Sequence, residues 1–245
     1  MITYPISSKN KAALDAKTAV FTWPDFIVVL GVAGMALFIY GRTLTPGLLP
    51  GDGGEFQTLT YLWGHSHPTG YPVYLTLTRL FTLLPTGGLA YRVNLFSAVI
   101  GALVVAGVYI NGRFLTQRRI IPIVGALIVA LSPTFWSQAV IAEVYTAGAA
   151  LIVWIIAALL WWRTTGSQRV LFVAGLLGGL SLGVHMSVML IAPAMGIFLL
   201  LPNRKPKEGE QEIKSLFSNL KAPLLGAAIG LVITILLFVL MDWNN

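Results

Sequence analysis

The sequence predicts an all-α membrane protein: about seven transmembrane helices, with two further helices lying in the interface in the first outer loop. The first observation is composition. Of the 245 residues, 56% are hydrophobic and 10% charged, less than half the ~25% charge usual for a soluble domain, and mean hydropathy is +0.80. The second is that the apolar residues gather in runs near the ~20-residue length that crosses a ~30 Å hydrocarbon core. The third is that basic residues fall mostly between those runs. The net charge of +7, from 16 Lys+Arg against 9 Asp+Glu, therefore reads as topology, and no nucleic-acid partner is expected. The absence of Cys excludes disulfides, thiol catalysis and a Cys-ligated zinc.

Residues 1–22, with Lys9, Lys11 and Lys17, precede the first span, 26–43. No small-residue cleavage site follows its apolar run, so it reads as an uncleaved anchor with the N-terminus inside. Spans 91–111, 119–137 and 144–162 come next. The 33 residues 169–201 would make one helix of about 50 Å, too long for the core. Two short helices, 169–185 and 187–201, turning near Gly183 to Ser187, put Arg204, Lys205, Lys207, Lys214 and Lys221 on the same inner side as Arg163 and Arg169. A seventh span covers 223–241. The organisation is thus a cytosolic segment 1–22, a membrane core 23–202 holding an outer loop 44–90, a cytosolic loop 203–221 and a last transmembrane helix within 222–245. No internal repeat is visible.

The outer loop holds the chemistry. It reads P-G-L-L-P-G-D-G-G-E-F-Q (46–57), then G-H-S-H-P-T-G-Y-P-V-Y (64–74). Its apolar runs are too short to span and predict two interfacial helices broken by Pro68 and Pro72. Asp52 stands among Gly51, Gly53 and Gly54, where little side-chain cover lets a ligand approach. Asp52 and Glu55 are the only acids on the loop. They fit either an ordinary N-cap and N3 arrangement or a catalytic pair on one helix face. His65 and His67, with Asp52 and Glu143, are candidate ligands for a divalent metal such as zinc or manganese. Arg79 and Arg92 lie outside against the charge rule, so each wants an anion, either a lipid headgroup or a substrate phosphate.

Beyond the loop, Glu143 starts the fourth span, where an acid is either functional or held by the helix dipole. His185 sits at the turn between the two short helices. Asp52, Glu55, His67, Arg92, Glu143 and His185 all map to one side of the membrane. Asp25 and Asp242, at helix ends, carry no assigned role.

The strings P-G-D-G-G-E-F, H-P-T-G-Y-P-V-Y, Y-R-V-N-L-F-S-A, F-W-S-Q-A-V-I-A-E-V-Y and G-L-S-L-G-V-H resemble a prokaryotic membrane family related to the animal transmembrane protein O-mannosyltransferase. That family belongs with the GT-C glycosyltransferases. The resemblance covers about residues 24–200 in five ordered blocks, and seven spans correspond to the shared GT-C core. It implies an inverting enzyme at the outer face of, here, a prokaryotic cytoplasmic membrane. Such an enzyme moves a sugar from a polyprenyl-phosphate carrier to an acceptor, a protein hydroxyl or a glycan. Asp52 matches the family's acidic catalytic residue and would act as general base, with Glu55 beside it. Glu143 would be a second acid lining the site. His67 and Tyr71 fall in the H-P-x-G-Y-P block and His65 outside it. His67, Tyr71, Arg79, Arg92, Glu143 and His185 make the expected substrate set, with Arg92 or His185 holding the phosphate. No phosphate-loop motif is present and none is needed. The chain departs from the family in extent, since such enzymes run on through further spans, so it reads either as a fragment or as half of a complex whose partner subunit supplies the rest. Two other readings stay open: a transporter of a lipid-linked anion and a non-catalytic subunit that binds the carrier lipid. The sequence selects neither the sugar, the acceptor, the carrier nor a metal.

Overall fold

The computed structural model describes residues 21–116, 118–201 and 212–244; among these there is no strand. The helices are α1 Trp23–Arg42, α2 Asp52–Leu62, α3 Pro72–Phe81, α4 Leu89–Leu115, α5 Ile120–Leu131, α6 Pro133–Ala139, α7 Val144–Thr165 and α8 Gln168–Ser181. A 3-10 segment Met186–Ile191, then α9 Ala192–Leu200 and α10 Glu212–Asn244, complete the order. The protein is an all-α membrane protein. By length and composition α1, α4, α7 and the Asn219–Asn244 part of α10 can each cross a membrane, while α8 and the stretch Met186–Leu200 are shorter apolar helices.

Two sequence expectations shift. The span expected at 119–137 is a bent pair, with α5 and α6 meeting at 64°. Pro133 opens α6 and holds Ser132 extended, at ψ 123°, because a proline ring excludes helical geometry from the residue before it. The last helix starts at Glu212, eleven residues before the expected span 223–241, since the stretch to Lys221 is made of adequate helix formers. The remainder of the expected loop 203–221, and all but Phe21 and Thr22 of the expected segment 1–22, lie outside the described residues. The expected turn near Gly183 to Ser187 is present between α8 and the 3-10 segment.

Three apolar clusters hold the bundle. One joins α1, α4, α5 and α6 around buried Tyr40 and Tyr109. Another joins α2, α3, α4 and the start of α7, with Val184 and Met241. The third joins α7, α8 and α9 around Trp162 and Leu171. Asp25, given no role in the sequence, is fully buried. Its carboxylate accepts from Arg113 Nε at 2.7 Å, Tyr109 Oη at 2.8 Å and Arg119 Nε at 3.0 Å. The start of α1 is thereby pinned to the α4–α5 turn.

Helices α8 and α10 touch backbone to backbone. Hydrocarbon supplies no hydrophobic force between helices, so close approach through small residues does that work. A Cβ on Gly179 would stand 2.2 Å from the Ala227 carbonyl oxygen, and one on Gly226 2.1 Å from that of Phe172. Gly179→Leu is therefore expected to cost more than the ~1–3 kcal/mol of ordinary overpacking, read as a lowered melting temperature in detergent. An unchanged melting temperature would show that the contact is not formed.

Candidate active site

Helix α2 begins where a carbonyl approaches too closely for a side chain. A Cβ on Gly54 would lie 2.1 Å from the Leu49 carbonyl oxygen. The loop before it is held by a buried amide pair: Gln57 Nε2 donates to Asn94 Oδ1 at 2.9 Å, Leu49 N donates to Gln57 Oε1 at 3.0 Å, and Asn94 Nδ2 donates to the Thr45 carbonyl at 2.7 Å. Two of the sequence blocks, one ending in Gln57 and one containing Asn94, thus meet through side chains 37 residues apart.

The capping-box alternative for Asp52 and Glu55 is not what forms. Gly51 is the N-cap, with φ +65°, and Asp52 is the first helical residue and makes no cap hydrogen bond. Glu55 turns instead to the following loop. Its Oε1 accepts from Ser66 Oγ at 2.7 Å and from the His67 amide at 2.8 Å, and its Oε2 lies 3.0 Å from His67 Nδ1. The hydroxyl of Tyr71 closes the chain at 3.3 Å from His67 Nε2. The hydrogen bond from Ser66, followed by those from His67, holds the Glu55 carboxyl below its ordinary value against the opposing effect of burial. Asp52 is exposed and accepts no hydrogen bond from a described residue.

Loop 63–71 is bracketed by two left-handed non-glycine residues, Trp63 at φ 57° and Tyr71 at φ 50°. Such positions cost about 1–3 kcal/mol each and persist only where the surroundings enforce them. At Tyr71 the enforcement comes from across the bundle, because the Gly183 carbonyl accepts the amides of Val73 at 2.9 Å and Tyr74 at 3.1 Å. A Cβ on Gly183 would meet Val73 Cγ2 at 2.5 Å. This seam sets His185 with its ring 6.4 Å from Tyr71 and 5.6 Å from Tyr145. His185 Nδ1 accepts from the Ser187 amide at 3.2 Å, so the proton of the neutral ring sits on Nε2.

Glu143 arrives by the turn after α6. Burial raises its carboxyl above the ordinary range, and the charge of Asp52 raises it further. One oxygen each of Asp52 and Glu55 and one nitrogen of His67 lie within 4.8 Å of one another, a donor set that suits a divalent cation. The other expected residues go elsewhere. His65 faces Asp242 at 3.8 Å and the Phe238 ring at 4.2 Å, outside that group. Arg79 donates to the Tyr61 carbonyl at 2.6 Å and sits over the Trp63 ring. Arg92 donates to the carbonyls of Thr82 and Leu84. Both guanidiniums thus donate to carbonyls at helix ends, which want a cation. Ser66, Tyr145, Gln57 and Asn94 are additions. Ser66 lies between the two histidines and Tyr145 two residues after Glu143, so proximity in sequence was the available signal for those two.

A profile of the protein O-mannosyl-transferase TMEM260 N-terminal domain matches residues 52–208, nearly two thirds of the chain, and begins at Asp52 itself. The chain belongs to this TMEM260 N-terminal domain family. Two curated relatives, both named protein O-mannosyl-transferase TMEM260, align with it. The mouse protein is 33% identical over 109 residues, 44% of this chain and 16% of its own length. The Dictyostelium discoideum protein is 26% identical over 111 residues, 44% of this chain and 14% of its own. The chain therefore spans less than a fifth of the curated relatives it matches. No solved structure matches it. Within the TMEM260 N-terminal domain segment lie α2 to α9 and every residue of the carboxylate and imidazole group, whereas α1 and α10 lie outside it.

Proposed function

We propose that this chain is the membrane core of a GT-C type glycosyltransferase. It takes a sugar from a polyprenyl-phosphate carrier and passes it, with inversion, to an acceptor hydroxyl of a protein or glycan at the outer membrane face. The reading is supported by the names of its relatives and carried by one observation: Asp52 stands exposed and uncommitted beside a Glu55 whose oxygens are already taken by Ser66 and His67. A general base must be free to accept the acceptor's proton, and Asp52 is. Glu55, His67 and Tyr71 form a hydrogen-bonded wall that positions the substrates. The Nε2–H of His185 offers the departing phosphate a donor. Glu143, whose carboxyl burial raises above the ordinary range, is the second acid beside that site.

The test is transfer of labelled hexose from a polyprenyl phosphate by the purified protein, supplied with an acceptor extract. Labelled product is the expected result. Carrier binding without turnover would overturn the enzyme and favour the carrier-binding subunit, and carrier movement across a vesicle membrane would favour the transporter. We expect transfer to persist in EDTA, because Glu55 and His67 already satisfy one another. Loss on chelation, restored by manganese, would put a cation on Asp52, Glu55 and His67 in place of that pairing.

Glu55 also sets a pH dependence. Its carboxyl is lower in the fold than free, so it stabilises the loop above the unfolded value and loses that contribution as pH falls through the folded one. Glu55→Gln is expected to melt below wild type at pH 7 and to converge with it under acid. A constant gap at all pH values would remove the carboxylate from the account.

A further inference from the structure

We propose that a cavity walled by α4, α7 and α8, at the end of the bundle away from Asp52, holds an acyl chain of an anionic phospholipid whose phosphate rests on Arg169. The cavity measures about 660 Å³ and is lined almost wholly by apolar side chains, Trp154, Trp161 and Val173 among them, which places it in the ~300–1,000 Å³ range of ligand sites. It lies far from the carboxylate group, because α7 starts beside Glu143 and its 22 residues carry the chain about 33 Å to Thr165 at the cavity's edge.

Arg169 is the one charged residue among those lining the cavity. It is exposed and has no hydrogen bond or ion pair with any described residue. The neighbouring cations are occupied. Arg113 and Arg119 share Asp25, and Arg163 donates to the Leu201 carbonyl and stacks over Phe198 at 4.6 Å. Among the described side chains this end of the bundle sets Arg113, Arg118, Arg119, Arg163, Arg169 and Lys221 against Asp25 alone, an excess of positive charge that favours a lipid of net negative charge over a zwitterionic one. A basic mouth over an apolar slot between helices matches a headgroup over a chain. This inference stands apart from the glycosyltransferase reading.

The full chain, purified in mild detergent and offered equal phosphatidylglycerol and phosphatidylcholine of the same acyl composition, would be examined by native mass spectrometry. One retained phosphatidylglycerol is expected. Arg169→Ala should lower its retention about tenfold, the worth of one charge-assisted contact, and leave the weaker phosphatidylcholine signal unchanged. Val173→Trp, which fills the slot from a half-exposed position, should remove both lipids without lowering the melting temperature. Equal retention of the two lipids by wild type, full retention by Arg169→Ala, or retention by a folded Val173→Trp would each overturn the proposal.

Discussion

Asp52→Asn is expected to lower sugar transfer by about 10²–10⁴-fold, the usual worth of a general base. The substitution keeps the side chain's size and removes only its basicity. Nothing in the fold depends on the carboxylate: Asp52 is exposed, caps no amide, and the helix start is formed by Gly51 and the Leu49–Gly54 contact. Melting temperature and carrier binding should therefore match wild type, and the loss should fall on turnover. Glu55→Gln gives the contrast, because it breaks the hydrogen bonds to Ser66 and His67 and so disturbs loop geometry as well as rate. If Asp52→Asn turned over at the wild-type rate, the base would have to be sought at Glu143.

The second large effect concerns stability. Asp25→Asn should cost about 3–5 kcal/mol, the usual consequence of removing one partner from a buried ion pair. The carboxylate is fully buried and Arg113 nearly so, with side-chain exposures of 0% and 6%. An uncharged amide leaves the Arg113 guanidinium enclosed without its anion. Arg119, 43% exposed, can turn to water, so Arg119→Gln should cost much less than Asp25→Asn. Thermal unfolding of the purified variants reads both. Equal losses would mean that the cluster is hydrated and that burial is not what sets the cost.

Much of this was legible in the sequence because membrane helices are written in runs and charges. The turn near Gly183, the two short helices of segment 44–90 and the shared face of Asp52 and Glu55 follow from run length, proline positions and a spacing of three on one helix. Periodicity is silent on the partners that join distant segments. Asp25 read as an idle helix-end acid because Arg113 and Arg119 lie 88 and 94 residues on. Arg79 and Arg92 read as wanting an anion, a lipid headgroup or a phosphate, and charge statistics do not register the helix-end carbonyls that each also meets. The amide pair of Gln57 and Asn94 carries no charge, so no rule of composition drew notice to it. The bend at Ser132 was in principle readable from Pro133, but hydropathy continues across it and masked the break.

The Asp25 cluster also has a meaning in time. A ribosome adding about 5–20 residues per second makes Asp25 and then needs roughly 4–18 s to reach Arg113, 88 residues later. Through that interval the acid at the start of the first helix waits for the two guanidiniums that pair with it in the fold. The anchor is committed to the bilayer first and locked afterwards, when the α4–α5 turn arrives and two guanidiniums close on one carboxylate. The order of synthesis thus makes this cluster a checkpoint: α1 becomes a fixed part of the bundle only once at least the first four helices have been made.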